Sequence, residues 1–371
     1  LSSHATKIMD KLMAVLSAGN GGYPHIMTAE FANTPGSHIP FTRASAIWPV
    51  IDFLDTVGAP TESFLQKAGI PLASLEQPES LLPLHLVYSF FEHAANAEGI
   101  NNLGLLVAQQ TSAYDMGIFG EMLREALTVH EYLNTGLQMI GSLTSGAKFW
   151  LTSEGNQMRV GQYLPGSEAP GFRHADLYTI AITLRMLRSF THNQWSPEEV
   201  YLHGSSELKI NNDNLFWGAP TIKGQARSSF TIPKTLLQQA IPLRATEVQQ
   251  QQERLGNSQS AMPDGLANAV KQVITLLLQD GCPDIHLAAE AAGMSTRTFQ
   301  RRLSNIGTSY SKLLQRTRMQ LAAQSLVHTT TPVNEIAASL GYRDPANFTR
   351  AFRLKTGVSP RNYRVQAQNS P

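Results

Sequence analysis

The spacing of apolar residues divides the chain before any motif is considered. Apolar positions recur at helical intervals in "SAIWPVIDFLDTVG", "TESFLQKAG", "LPLHLVYSFFEHAANA" and "GIFGEMLREALTVHEYLNTGLQMI", so the first half is expected to be mostly helical. The period then falls to two. "AKFWLTSEGNQMRVGQYL" (147–164) predicts two strands around a Glu154-Gly155-Asn156 turn. A long amphipathic helix follows in "HADLYTIAITLRMLRSF", then a strand in "EEVYLHG" and short strands around "TIKGQARSSFTI". Together these predict an α+β N-terminal domain over residues 43–245, preceded by an extension (1–42) rich in Gly, Pro, Ser and Asn with no sustained period. "TEVQQQQERLGNSQSAMPDG" predicts a linker over 246–265, helical at its start and flexible at its end.

Beyond the linker the pattern is all helical and occurs twice. Ile285, Ala288 and Ala292 predict a short helix ended by Gly293, and Ser295 can cap the next, "TRTFQRRLSN", with Phe299 and Leu303 inward. A long helix is expected from about Ser309 to Val327, with Tyr310, Leu313, Leu314, Thr317 and Leu321 on one face. In the second copy Thr331 is expected to cap and Pro332 to open a helix carrying Val333, Ile336, Ala337 and Leu340, ended by Gly341. Asp344 caps and Pro345 opens the following one, with Phe348 and Phe352 inward. Ser359-Pro360 starts a last helix that packs Tyr363. Residues 266–371 are thus expected to form an all-α domain with two helix-turn-helix units joined by a long helix.

Composition adds little until it is divided. The chain of 371 residues is 42% hydrophobic and 15% charged, ordinary for a globular protein with a core, and its net charge is +1. Residues 282–371, however, hold 12 Lys and Arg against four Asp and Glu (Asp284, Glu290, Glu335, Asp344), a net of +8, whereas residues 1–281 hold 17 against 24, a net of −7. A basic domain of that size points to a polyanion, and the acidic remainder argues against a chain that merely coats nucleic acid. Matching arginines, Arg301 and Arg350, sit outside the two second helices. Such helices enter the major groove, where arginine pairs bidentately with guanine and Asn or Gln with adenine, while surrounding Lys, Arg and helix N-termini hold phosphates. Double-stranded DNA is therefore the expected partner.

Both copies resemble the DNA-binding domain of the AraC/XylS family of bacterial transcription regulators, above all in "GYRDPANFTRAFRLKTGVSPRNYR" (341–364), which follows that family's signature nearly throughout. The resemblance covers about the last hundred residues. It implies base contacts from Arg297, Gln300 and Arg301 in the first unit and from Ala346, Asn347 and Arg350 in the second. Ser295, Thr296, Arg343, Arg353 and Lys355 complete the expected DNA-contacting set. Pro345 and Ala346 are less polar than many members carry there, which implies fewer base contacts from the second helix. The first domain is similar to the effector domain of the ornithine-utilisation-regulator-like subgroup and unlike a Gly- and His-rich cupin barrel. That implies a small organic effector, a homodimer and activation through RNA polymerase. Phe149, Trp150, Tyr163, Arg173 and His174 are the candidate effector residues, aromatic walls with a carboxylate clamp.

Other classes fare worse. "HEYLN" (130–134) is half of a zinc-protease helix, but Asn134 replaces the second histidine; no P-loop, G-x-S-x-G elbow or Cys/His cluster occurs, so no enzyme, cofactor or metal is expected. The apolar runs "LGLLVA" (103–108) and "VITLLL" (273–278) are far shorter than the roughly 20 residues of a membrane span. The patch "LMAVLSA" (12–18) is too brief for a secretory signal, and the single cysteine, Cys282, allows no internal disulfide, so a cytoplasmic location is expected. The remaining alternative, a constitutive architectural DNA binder, would not need a separate α+β domain.

Overall fold

A computed structural model of the chain describes residues 39–204, 216–241, 261–281 and 283–368. Residues up to 38, most of the glutamine-rich linker and Cys282 lie outside the described residues. The fold begins before the boundary expected at residue 43. Ile39 and Phe41 are buried, and β1 (Phe41–Arg43) pairs antiparallel with β2 (Leu81–Pro83). The Arg43 guanidinium donates to the Ser142 carbonyl at 2.7 Å and pairs with Glu79 at 2.9 Å. Three-residue strands are too short to show an alternating period, which is why this ribbon escaped the sequence pattern.

Six helices follow, all but α4 lying on the apolar stripes: α1 (Trp48–Thr56), α2 (Thr61–Lys67), α3 (Leu84–Ala97), α4 (Leu103–Ala108), α5 (Gly117–Arg124) and α6 (Val129–Leu143). The stretch read as one helical run over 117–140 is two helices. The break is chemical: Thr128 Oγ1 accepts from the Glu131 amide at 3.2 Å while Glu131 Oε2 accepts from the Leu127 amide at 2.8 Å, a reciprocal cap that starts α6 afresh.

The expected hairpin forms from β3 (Lys148–Glu154) and β4 (Gln157–Tyr163), closed at Glu154 and Gln157 around Gly155, whose φ of 58° is left-handed. With β5 (Val200–His203), β6 (Thr221–Gln225) and β7 (Ser229–Pro233) they build a sheet ordered β3-β4-β7-β5-β6, antiparallel except for β5 beside β6. Between sheet and helices runs α7 (Phe172–Phe190). Thirteen of its 19 residues are buried, so it is enclosed on most sides rather than lying on a surface. It meets α4 at backbone contact: a Cβ on Gly104 would come within 1.9 Å of the His174 carbonyl oxygen.

The C-terminal helices are α8 (Gly265–Leu277), α9 (Ile285–Ala291), α10 (Thr296–Asn305), α11 (Tyr310–His328), α12 (Val333–Ser339), α13 (Pro345–Thr356) and α14 (Pro360–Gln368). Their cores differ. Buried residues from Leu266 through Leu313 belong to the same continuous apolar cluster as the N-terminal domain, and α8 packs on β2. The second unit has a cluster of its own: Met319, Ala322, Leu326, Ile336, Ala337, Leu340, Phe348 and Phe352. The helix α11 therefore serves two cores. Tyr310 and Leu313 bury one face on the first, while Met319, Ala322 and Leu326 bury a rotated face on the second. A single stripe, as its sequence suggested, describes only its first half.

Candidate nucleic-acid interface and effector cavity

The second helix of each unit is built by the same local chemistry. In the first unit, Asp284 Oδ1 accepts from the His286 and Leu287 amides at 2.7 and 2.9 Å to open α9. Gly293 then turns the chain at φ 64°, where a side chain is disfavoured, and Ser295 Oγ accepts from the Thr298 amide at 3.3 Å to open α10. Phe299 and Leu303 anchor α10 below. In the second unit Gly341 turns at φ 73°, Asp344 Oδ1 accepts from the Ala346 amide at 2.8 Å, Pro345 lies in the first turn, and Phe348 and Phe352 are fully buried. One detail differs from expectation. The cap position of α12 is Pro332 rather than Thr331, so that helix starts without a side-chain cap.

Anchoring the apolar face fixes what the other face presents. Ser295, Arg297, Gln300 and Arg301 of the first unit and Arg343, Ala346, Asn347, Arg350, Arg353 and Lys355 of the second are all exposed; Thr296 is half-buried, its hydroxyl 3.0 Å from His286 Nδ1. Arg350 Nη2 donates to Asn347 Oδ1 at 2.5 Å, so two of the candidate base-reading groups of the second unit engage each other here. Below them Tyr363 meets Phe352 edge-on, with ring centroids 5.3 Å apart, and Arg364 donates to the Leu326 carbonyl at 3.2 Å, tying α14 to α11. The 19 residues of α11 span about 28 Å at ~1.5 Å each, close to one turn of DNA at roughly 34 Å.

The N-terminal domain encloses a cavity of about 90 Å³ among α3, α6, α7 and β3. Tyr88, Phe91, Phe119, Tyr132, Phe149 and Tyr178 supply aromatic walls. Only Phe149 of the five candidate effector residues lines it. Trp150, on the opposite face of β3, lies over Gly161, where a Cβ would come within 1.9 Å of the indole. Tyr163 stacks beneath the Arg227 guanidinium, 4.5 Å from the ring centre. Arg173 and His174 sit at the start of α7 near Glu92, each 3.8 Å from its carboxylate. His174 is completely buried, and its pKa falls to about 4, first because burial penalises the imidazolium and then because Arg173 is adjacent; Glu92 opposes only in part. Arg173 Nε donates to His174 Nε2 at 3.2 Å, so the ring is neutral and committed to its neighbour. The clamp foreseen from these two residues is thus not brought to the cavity. Sequence reasoning missed Tyr88, Phe91, Tyr132 and Tyr178 because an aromatic on a helix stripe reads as core; only the enclosing elements reveal the space between them.

The helix α3 faces both ways. Leu84, Val87, Tyr88 and Phe91 line the cavity, while His85, one position from Leu84, lies against the turn of the first unit: a Cβ on Gly293 would be 3.2 Å from its Nδ1. Burial lowers the pKa of His85, partly opposed by Glu290 of α9. Among the described residues there is no group of His, Cys, Asp and Glu that could hold a metal, and no helix is long and apolar enough to cross a membrane. In the zinc-protease-like stretch Asn134 Nδ2 lies 2.9 Å from His130 Nε2, occupying that imidazole with an amide.

Comparison with known proteins agrees with both halves. Residues 288–366 match the family described as "Helix-turn-helix domain", and residues 58–241 match "Arabinose-binding domain of AraC transcription regulator, N-term". The chain is similar to the ornithine utilization regulator of Pseudomonas aeruginosa, 42% identical over 27% of this chain and 30% of that one. It is also similar to the HTH-type transcriptional regulator VirS of Mycobacterium tuberculosis, 24% identical over 87% of this chain and 96% of that one. Among solved structures, the transcriptional regulator CdpR from Pseudomonas aeruginosa aligns over 85% of this chain and 96% of that one, with 20% identity and a TM-score of 0.38.

Proposed function

Because the chain is an AraC-type transcription regulator, related through both of its halves to regulators rather than to enzymes, we propose that α10 and α13 enter two successive major grooves on one face of an operator and that an effector in the N-terminal cavity controls this binding. The observation that carries the reading is the paired geometry: two capped helices with exposed Arg301 and Arg350, spaced by one 19-residue helix. Arg297, Gln300, Asn347 and Ala346 complete the base-facing sets, with Ser295, Thr296, Arg343, Arg353 and Lys355 on the phosphates. Control reaches the DNA through α3, which lines the cavity on one side and abuts the Gly293 turn on the other. The protein acts as a homodimeric activator, engaging RNA polymerase in the cytoplasm; a reporter whose expression rises on deletion of the protein would overturn activation.

Footprinting and titration with operator variants test the groove assignment. Arg301→Ala and Arg350→Ala should each cost roughly 1–3 kcal/mol and relax preference at base pairs about ten apart. Lys355→Ala should weaken all sequences alike and flatten the salt dependence by about one unit. If either arginine variant lost affinity equally for operator and random DNA, its helix would be positioning the protein without reading sequence.

A further inference from the structure

The cavity's lining specifies a chemistry. None of the residues that line it is Asp, Glu, Lys, Arg or His. Its threonine hydroxyls are engaged within the protein: those of Thr42 and Thr144 bond each other at 2.8 Å, and Thr179 donates to the Ala175 carbonyl at 2.9 Å. The Tyr88 phenol donates to the Pro165 carbonyl at 2.8 Å. Burial pushes the phenols of Tyr88, Tyr132 and Tyr178 well above their ordinary pKa, so they stay neutral. A carboxylate or ammonium brought here would lose its water and gain no counter-charge, and a sugar would leave most of its hydroxyls unpaired.

Gly136 supplies a second, independent observation. It lies inside α6, where glycine weakens a helix, and it lines the cavity. Two other helical glycines of this domain are held by packing: a Cβ at Gly104 would strike the His174 carbonyl at 1.9 Å, and one at Gly120 the Tyr114 carbonyl at 2.4 Å; Gly141, also in α6, is exposed and away from the cavity. At Gly136 a Cβ would meet only the Phe149 ring, at 3.5 Å, an ordinary contact. Neither its neighbours nor its backbone conformation requires glycine there. What the missing side chain does leave is room beside Phe149.

We infer that this cavity is the effector site and that its ligand is a compact, uncharged, mainly apolar molecule, a single aromatic ring held among Tyr88, Phe91, Tyr132, Phe149 and Tyr178 beside Gly136. This rests on the reading of the N-terminal domain as a sensor and names what it senses. The size agrees with the chemistry: the cavity is about 90 Å³, and an apolar cavity of about 150 Å³ accepts benzene, so a one-ring ligand needs modest expansion and a two-ring one considerably more. The class excludes L-arabinose, despite the description of the matched domain, and L-ornithine.

The test uses the full-length protein with five probes: toluene, benzyl alcohol, benzoate at neutral pH, L-arabinose and L-ornithine. Thermal unfolding and calorimetric titration read binding, and operator titration reads control. Toluene and benzyl alcohol should bind saturably and raise the unfolding midpoint, whereas benzoate, arabinose and ornithine should not. Gly136→Leu, which fills the space beside Phe149, should weaken the aromatic probes at least about tenfold; Gly136→Ala, which adds one methyl at ordinary contact distance, should fold normally and weaken them less. Absence of binding by both uncharged aromatics, saturable binding of benzoate or of either polar probe, or affinities unchanged in both Gly136 variants would each overturn the inference. If a polar probe bound and changed operator affinity, the sensor reading would stand and the ligand class would fall. If the aromatics bound without changing operator affinity, the site would stand and the proposed control would fall.

Discussion

The two helix-turn-helix units share capping, turn glycines and a buried aromatic anchor, yet they are held in different ways. The first is an extension of the N-terminal domain: its buried residues are continuous with that domain's core, and its Gly293 turn lies under His85. The second closes on eight buried residues of its own and is tied to the rest through α11. Equal local sequence therefore does not mean equal dependence on the effector domain. The cavity-lining helix α3 touches the first unit directly, whereas the second is joined to the first only along a helix. The glutamine-rich linker is not the only connection between the two domains: α8 packs on β2, and His85 lies against the Gly293 turn.

The sharpest way to separate the two regions is to empty the second core. Phe348→Ala removes a fully buried ring from a cluster of eight residues and should cost roughly 3–5 kcal/mol, more than so small a core can absorb. All four tryptophans, Trp48, Trp150, Trp195 and Trp217, lie in the N-terminal domain. The tryptophan-monitored urea midpoint should stay near that of the wild type while amide protection across α12 and α13 is lost. A joint fall in both signals would show the two regions to be one cooperative unit.

Acid should do the reverse. His174 has its pKa depressed to about 4 from 6.5, so between those values the unfolded chain binds a proton that the folded one refuses. Its contribution is fully present above pH 6.5 and declines as pH falls toward 4, a loss of roughly 3 kcal/mol at ~1.4 kcal/mol per unit. The tryptophan-monitored midpoint should drop over that range, and His174→Gln should remove much of the dependence. None of the eight buried residues of the second unit's core titrates, and the tyrosines packed against it stay neutral in acid, so protection of α13 should respond less. Equal acid sensitivity of His174→Gln and wild type would assign the effect elsewhere.

The smallest contrast lies in the two turn glycines. Gly293→Ala and Gly341→Ala both place a side chain at left-handed φ, 64° and 73°, for about 1–2 kcal/mol. Only the first also presses on the His85 ring, at 3.2 Å. Gly293→Ala should therefore lower the tryptophan-monitored midpoint, whereas Gly341→Ala should act on the second unit alone. Identical effects on that midpoint would mean that the His85 contact does not couple the domains.

What the sequence determined by itself is local. Capping residues, turn glycines and helical stripes act within a few positions, so the hairpin at 148–163, the long helix α7 and the helices α10 and α13 were legible with bounds close to those found. The Thr128–Glu131 cap was legible too, in "TVHE", although a continuous apolar stripe hid it. The exposed arginines followed because burying Phe299 and Phe348 leaves only one way for Arg301 and Arg350 to face. Tertiary structure alone decided the rest. An aromatic on a stripe has the same pattern whether it fills a core or lines a space, so the cavity at Phe149 appeared only when α3, α6 and α7 enclosed it, and Arg173 and His174 proved to lie outside it. The fusion of the first unit to the N-terminal core is likewise absent from any local pattern: apolar burial is non-directional, and which surface covers a stripe is settled by what the rest of the chain brings to it.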